Sequence, residues 1–162
     1  MQPSDFETAR FNMVAQQIRP WEVIDDRVLD VFQTVPREHF VAPEYLGLAF
    51  ADVAVPIGEG QTMMKPVQVG RMLQALNVQP DDKVLEIGTG SGFVTACLAK
   101  LGGAVTSYEI HAALSEQAAQ RLGELGIRNA ELVQGDGLAA GIAPGTFDVI
   151  AVTGSLPRYP EE

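Results

Sequence analysis

The chain has 162 residues, of which 46% are hydrophobic and 20% charged, which fits one globular domain with an apolar core and excludes a disordered chain. Eleven Lys and Arg residues against 21 Asp and Glu residues give a formal net charge of −10. This acidic balance argues against binding to nucleic acid or to an anionic membrane surface, because both need a basic face.

The single cysteine, Cys97, excludes an internal disulfide, and a reducing cytoplasm is therefore the simplest compartment. Cys97 lies in an apolar run over residues 93–99, which favours a buried hydrophobic role over a nucleophilic one. No stretch has the roughly 18 apolar residues of a spanning helix. The N-terminus lacks the apolar block of a secretion signal, and we expect no metal site.

The N-terminal residues predict a first helix. Ser4 and Glu7 have the spacing of a capping box, which predicts that the helix starts at Asp5. The pair Arg19-Pro20 should end it, because a residue before proline avoids the helical region.

Two further helices flank a loop-rich segment. Apolar spacing predicts a helix from Asp26 that Pro36 stops, and Pro66 suits the first position of the next helix. Residues 37–61 between them combine prolines and glycines with aromatic and aliphatic residues. Since those apolar residues need burial, this segment is interpreted as an ordered layer rather than a linker.

From residue 82 onward, strands alternate with helices. The predicted strands cover residues 83–87, 104–108, 131–133 and 147–152, and the predicted helices cover residues 92–101 and 112–125. This alternation predicts an α/β fold with a parallel sheet and right-handed crossovers.

Residues 84–92, Val-Leu-Glu-Ile-Gly-Thr-Gly-Ser-Gly, lead from a buried strand into a glycine-rich turn that opens a helix. Glycines permit positive φ and let a ligand approach the backbone. Glu109 follows Gly88 by 21 residues at the end of the second strand, where a carboxylate can accept both hydroxyls of a ribose. Asp136 ends the third strand, where it would read the amine of an adenine.

Two cofactor classes suit such a turn, namely dinucleotides and S-adenosylmethionine. The dinucleotide fingerprint is G-x-G-x-x-G, whereas the third glycine here, Gly92, comes one residue early and Phe93 takes the fingerprint position. Glu86 at the strand end suits an ammonium group and a cationic sulfur, and it would repel a pyrophosphate. These features favour S-adenosylmethionine over NAD.

The chain resembles the protein-L-isoaspartate O-methyltransferases, which belong to the class I S-adenosylmethionine-dependent methyltransferases. The resemblance covers about residues 13–160, and its motifs lie in residues 35–41, 57–62, 86–92 and 147–154. It implies a Rossmann-like α/β fold with an N-terminal helical layer. It also implies S-adenosylmethionine-dependent methylation of isoaspartyl carboxyl groups in damaged proteins.

The same resemblance implies how the chain is organised. Residues 1–80 would form the N-terminal helices and a loop that covers substrate and cofactor, and residues 81–162 would form the cofactor-binding half. The sheet would be present only through about its fourth strand. We therefore expect a truncated product with an open, apolar fourth strand that is prone to aggregation.

The resemblance also assigns site residues. Gln61, Thr62, Met63 and Met64 would line the methionine end of the cofactor, and Glu86 would approach its amino group. Gly88 and Gly90 would pass under the sugar, and Thr89 and Gly92 of the same turn would also bind the cofactor. Glu109 would hold the ribose, Ile110 would pack on the adenine, and Asp136 and Gly137 would read the adenine edge.

One position departs from the family pattern. Family members have Ile-Ser-x-Pro after the Gln-Thr pair, and that serine is regarded as an active-site residue, whereas this chain has Met64 there. A thioether cannot donate a hydrogen bond. Either Thr62 takes the polar role, which makes it the candidate catalytic residue, or the acceptor differs, or the chain binds the cofactor without repair activity.

The acceptor decides whether a base is needed. An isoaspartyl carboxylate is already ionised at neutral pH, because its pKa is near 4, so that positioning and exclusion of water would suffice. An amine or phenol acceptor would want a base, for which His39 and His111 are the candidates. A nicotinamide-dependent oxidoreductase stays open as a third function.

Overall fold

The computed structural model describes residues 3–156, and side chains over residues 5–156. The helices are α1 (Pro3–Met13), α2 (Asp26–Thr34), α3 (Pro66–Leu76), α4 (Phe93–Leu101) and α5 (Ala112–Glu124). The strands are β1 (Val55–Gly58), β2 (Gln61–Met63), β3 (Lys83–Ile87), β4 (Ala104–Glu109), β5 (Ala130–Gln134) and β6 (Val149–Val152). None of the helices within residues 3–156 is long and apolar enough to cross a membrane.

The N-terminal helical segment is longer and less regular than predicted. Helix α1 begins at Pro3 instead of Asp5, because proline fits a first helical turn, where its missing N–H is not needed. The chain then continues through a π-helix, Val14–Ile18, and a 3₁₀ turn, Arg19–Trp21. The predicted end at Arg19-Pro20 is therefore wrong, and Glu22 in the left-handed region (φ 64°) ends the segment. The predicted cap at Ser4 lies outside the described side chains.

Helices α2 and α3 begin where they were predicted, at Asp26 and Pro66. The Asp25 carboxylate caps α2 by accepting a hydrogen bond from the Arg27 N–H at 2.9 Å. The helix packs one apolar face into the core with Val28, Leu29, Val31 and Phe32.

The loop-rich segment after α2 is ordered, as predicted, and it buries Phe40, Val41, Ala49 and Val55. It consists of two 3₁₀ turns and an antiparallel hairpin of β1 and β2 that was not predicted. The hairpin turn has Glu59 and Gly60 at positive φ. Because of this hairpin, Gln61 and Thr62 lie on a strand, β2, rather than in a loop.

The four remaining strands form a parallel sheet in the order β5-β4-β3-β6, which confirms the α/β prediction. Helices α4 and α5 pack against β4 and β5. Strand β6 starts two residues later than predicted, at Val149. Asp148 just before it already contacts β3, since its N–H donates to the Lys83 carbonyl and its carboxylate accepts the Lys83 N–H, both at 2.8 Å. On this edge strand, Ile150 and Val152 are 57% and 44% exposed. The carboxyl ends of all four strands lie at one edge of the sheet, with β3 in the interior.

Candidate active site

A cavity of about 820 Å³ lies at the carboxyl edge of the sheet, a size that fits a small-molecule cofactor. The β1–β2 hairpin forms one wall, and the turns that follow β3, β4, β5 and β6 form the others. Of the predicted site residues, those that line it are Gln61, Thr62, Met63, Met64, Gly88, Thr89, Gly90, Glu109, Ile110, Asp136 and Gly137. Glu86 and Gly92 are not brought to it.

The glycine turn after β3 is shaped by the protein as well as by any ligand. Gly88 has φ 104°, and a Cβ there would lie 2.4 Å from the Gly154 nitrogen, because the loop after β6 crosses at this point. Gly92 has φ 88° at the start of α4, where a Cβ would lie 3.1 Å from the Ala118 Cβ of α5. Gly92 therefore serves helix packing rather than the cavity wall.

Glu109 is where the sequence predicted it, at the cavity and at the end of β4. One carboxylate oxygen accepts the Gly90 N–H at 2.8 Å, and the other accepts the His111 N–H at 3.0 Å. Each oxygen keeps a further acceptor position that could serve a ribose hydroxyl. Glu109 thus fixes the glycine turn and presents acceptors to the cavity at the same time.

Glu86 does not reach the cavity, so the prediction that it approaches the cofactor's amino group is not supported by its position. Side chains alternate along β3, and Glu86 points toward α4 with no solvent exposure. Its carboxylate accepts hydrogen bonds from the hydroxyls of Thr95, Ser107 and Thr153. Burial raises the pKa of the Glu86 carboxyl to about 7, although those hydroxyl donors act in the opposite direction.

Polar side chains separate Glu86 from the cavity. Thr89 and Thr153 both line the cavity, and the Thr89 hydroxyl lies 2.6 Å from that of Ser107. The Thr153 hydroxyl donates to the Gly88 carbonyl at 2.7 Å. Glu86 is therefore connected to the glycine turn through hydroxyl groups.

The hairpin wall contains the position where the family has serine. Met63 is buried in the core, Met64 is half-buried, and Thr62 is exposed to the cavity. Within the described residues, the Thr62 hydroxyl has no protein hydrogen-bond partner. Thr62 and its neighbour Gln61 are therefore the polar side chains of this wall that can hydrogen-bond to a ligand.

The opposite end of the cavity has an apolar and a polar side. Ile110 and Leu138 are 63% and 49% exposed there, and the Asp136 carboxylate accepts the Leu138 N–H at 2.9 Å. A Cβ at Gly137 would lie 2.4 Å from the Ile87 Cδ1 and 3.0 Å from the Tyr108 Cβ, so a larger residue here would require these side chains to shift. The arrangement suits a flat aromatic base with hydrogen-bonding groups on one edge.

Several lining residues were not predicted as site residues. They include Ile57, Gln68, Tyr108, His111, Leu138 and Ser155. The sequence offers His111 as a candidate base or as a structural residue, and Ile57 as part of a family motif, but it predicts neither as a cofactor contact. The Nδ1 atom of His111 lies 3.7 Å from the Glu59 carboxylate, which links the hairpin turn to the start of α5. An alternating pattern over residues 55–63 was the one signal for the hairpin, and Pro56 and Gly58 interrupt it.

The family model for protein-L-isoaspartate(D-aspartate) O-methyltransferase matches residues 9–162. The chain belongs to this family. The protein-L-isoaspartate O-methyltransferase of Koribacter versatilis (strain Ellin345) is 41% identical over 155 residues, 96% of this chain and 70% of that protein. The protein-L-isoaspartate O-methyltransferase 1 of Rhodopseudomonas palustris (strain HaA2) is 42% identical over 159 residues, 98% of this chain and 64% of that protein.

Solved structures share the fold of this chain. A protein-L-isoaspartate O-methyltransferase superimposes with a TM-score of 0.76 and 26% identity, over 89% of this chain and 47% of that one. A Plasmodium falciparum protein described as a putative family member, in complex with S-adenosyl-L-homocysteine, has the same fold, with a TM-score of 0.76 and 21% identity over 96% of this chain and 76% of that one.

These matches confirm the predicted family and fold class. They also support the predicted function and cofactor, since the family transfers methyl groups from S-adenosylmethionine to isoaspartyl-containing proteins. The nicotinamide-dependent alternative gains no support from them. The chain spans 70% and 64% of the length of these two curated relatives.

Proposed function

We propose that this chain binds S-adenosylmethionine in the cavity at the carboxyl edge of its sheet and methylates the carboxylate of isoaspartyl residues in proteins or peptides. The observation that carries this proposal is the meeting of Glu109, the glycine turn and the 61–64 wall around one cavity in a member of this family. We propose the cytoplasm as the compartment, because the single cysteine is buried and cannot pair within the chain.

The residues around the cavity divide between the two ends of the cofactor. Glu109 would accept the ribose hydroxyls, and the Asp136–Leu138 turn with Ile110 would hold the adenine. Gln61 and Thr62 would face the methionine end, with the side chains of Met63 and Met64 forming its apolar floor. The bound cofactor supplies a methyl group on a cationic sulfur, which an anionic acceptor can attack.

The chain's own contribution is position and exclusion of water. An isoaspartyl carboxylate is ionised at neutral pH, so no side chain has to remove a proton from it. Thr62 is the proposed group that donates a hydrogen bond to the acceptor carboxylate and orients it. Met64 cannot do so, and it instead keeps this end of the cavity apolar.

The test uses purified protein, labelled S-adenosylmethionine and a peptide with one isoaspartyl residue, with the ordinary aspartyl peptide as the control. We expect a base-labile methyl ester on the isoaspartyl peptide alone. Thr62→Val should lower its rate of formation, and Thr62→Ser should retain it. No ester on the isoaspartyl peptide, while S-adenosylhomocysteine still binds in calorimetry, would overturn the repair activity.

Met64 favours a second candidate function, a cofactor-binding homologue without repair activity or with another acceptor. The Met64→Ser variant separates the two. If the wild-type protein is inactive and Met64→Ser forms the ester, the native chain is not a repair enzyme. If both form the ester at similar rates, Thr62 is sufficient as the polar group at this wall.

A further inference from the structure

Arg37 lies buried directly behind the cavity wall formed by β2. Its side chain has no solvent exposure. The Nη2 atom donates to the Met64 carbonyl at 2.9 Å, and the Nε atom donates to the Ala49 carbonyl at 2.9 Å. The guanidinium carbon lies 4.8 Å from the ring centre of Phe93, the first residue of α4. One side chain therefore contacts the hairpin wall and the helix that follows the glycine turn.

This burial is costly for a charged group. Burial lowers the pKa of the Arg37 guanidinium to about 10, at which it is still protonated at neutral pH. Within residues 5–156, no carboxylate forms an ion pair with it, and its Nη1 atom is buried without a hydrogen-bond partner. An apolar side chain of similar volume would avoid that desolvation. What offsets this cost is a set of specific contacts: the two carbonyl hydrogen bonds, the Phe93 ring and the Coulombic attraction of Asp52.

What an apolar side chain would lack is directed hydrogen-bond donors. The link from β2 to α3 has no partner strand for its backbone beyond Met63. Side chains hold it instead: Arg37 binds the Met64 carbonyl, and the Asp52 carboxylate accepts the Val67 N–H at 3.1 Å. Pro66 between them has no N–H to contribute. Without Arg37, the Met64 end of the wall would lose its buried anchor.

We propose that Arg37 is a positioning residue for the methyl-acceptor end of the active site. By fixing the Met64 backbone relative to Phe93, it sets the distance between the Thr62 wall and the glycine turn. Arg37 does not line the cavity, and it therefore acts through these neighbours. This inference rests on the proposed function, because it assigns the wall to the acceptor.

The test compares Arg37→Met, which removes the donors, and Arg37→Lys, which keeps the charge but has one ammonium nitrogen in place of the planar guanidinium. Arg27→Met is the control for an exposed arginine elsewhere in the chain, because Arg27 also donates to a backbone carbonyl, that of Val78 at 2.9 Å, but its side chain is 43% exposed and lies away from this cavity. For Arg37→Met we expect kcat/KM for the isoaspartyl peptide to fall about 100-fold, as for a displaced reacting group. We expect its Kd for S-adenosylhomocysteine to change less than about threefold, and Arg37→Lys to be intermediate.

A second readout is independent of catalysis. In hydrogen–deuterium exchange, Arg37→Lys should exchange faster than the wild type, and this increase should be confined to residues 61–68. Arg27→Met should leave exchange in residues 61–68 unchanged. If the wild type forms no ester, the proposed function fails, but the exchange data still decide the role of Arg37. A purely structural role is indicated if cofactor affinity falls as much as kcat/KM, if Arg27→Met has the same effects, or if exchange rises over the whole chain. Any of these results would overturn the proposal.

Discussion

The hydroxyl of Thr153 lies 3.2 Å from the carboxylate of Glu86, and the two residues connect the loop after β6 to the interior of the sheet. The same hydroxyl lies 2.7 Å from the Gly88 carbonyl. Thr153 has one hydroxyl proton for these acceptors. When Glu86 is protonated, it can donate to Thr153 while Thr153 donates to Gly88, and both bonds form together. When Glu86 is ionised, its carboxylate competes for the same proton with the Gly88 carbonyl and with the Ile87 carbonyl, which lies 3.2 Å from the hydroxyl.

The stability of the protein should therefore depend on pH through Glu86. Its pKa is raised from 4.5 to about 7, so the folded state holds a proton that the unfolded chain has released. This contribution is fully present below about pH 4.5 and is lost as pH rises to about 7, a change of about 3 kcal/mol. Urea unfolding at about pH 5 and about pH 8 should show a smaller pH-dependent loss for Glu86→Gln than for the wild type. Glu131→Gln, at an exposed position, is the control and should lose as much stability between these pH values as the wild type. If Glu86→Gln also loses as much as the wild type, the prediction is contradicted.

Removal of the Thr153 hydroxyl should weaken both the fold and the cofactor site. Thr153→Val keeps the shape but leaves the Glu86 oxygen without this donor, which should cost about 1–3 kcal/mol of unfolding free energy. The Kd for S-adenosylhomocysteine should rise as well, because the Gly88 carbonyl loses its anchor. Thr153→Ser should restore both values. Thr146→Val, which removes an exposed hydroxyl bonded to a carbonyl at 2.7 Å, is the control, and equal effects of the two valine variants would count against the network.

Gly88→Ala should be far more damaging than an alanine at another glycine of positive φ. The new Cβ would meet the Gly154 backbone at 2.4 Å, so the loop after β6 must move. Gly145, with φ 78° and open space around its Cβ position, is the matched control, and Gly145→Ala should cost only the roughly 1–2 kcal/mol of left-handed strain. Chemical unfolding and S-adenosylhomocysteine calorimetry measure the difference. Similar losses for both variants would show that φ, and not the crossing loop, requires glycine at position 88.

Glu109→Gln should weaken cofactor binding through the ribose. The carboxylate offers two acceptor oxygens, whereas the amide offers one, and the Gly90 N–H already occupies an acceptor position. We expect the Kd for S-adenosylhomocysteine to rise about tenfold, the loss of one charge-assisted hydrogen bond. The 2′-deoxy analogue makes the test specific: it should bind wild type more weakly than S-adenosylhomocysteine does, and Glu109→Gln should bind the two alike. An undiminished preference in the variant would remove Glu109 from the ribose site.

The sequence predicted best where local patterns decide the structure. The bounds of β3 to β5 were within one residue, because apolar runs end there in glycine or a turn. The β1–β2 hairpin was missed, because Pro56 and Gly58 interrupt the alternation of apolar and polar residues along it. The pairing of its two strands becomes visible only in the structure. The N-terminal π-helix likewise follows from packing rather than from residue preference.

The sequence predicted most of the residues of the candidate site, but not the direction in which each side chain points. The order of strands and turns predicted Glu109 as a site residue, the family resemblance predicted Gln61 to Met64, and the structure brings both groups to one cavity. The position of Glu86 near the end of β3 was predictable from the sequence, but the side of the sheet to which its side chain points was not. Arg37 was missed as a contributor because a buried arginine 27 residues from Met64 is brought to it only by the fold.

The crossing of Gly88 by Gly154 also has a consequence for the order of folding. The glycine turn looks like a local motif, yet both Thr153 and Gly154 donate backbone hydrogen bonds to the Ile87 carbonyl at 2.9 Å. Thr153 and Gly88 are 65 residues apart in the chain. Contacts of such long sequence separation form late, after the loop between them has closed. A nascent chain that has emerged only as far as β5 therefore contains every glycine of the turn, but the turn acquires its final shape when β6 docks against β3.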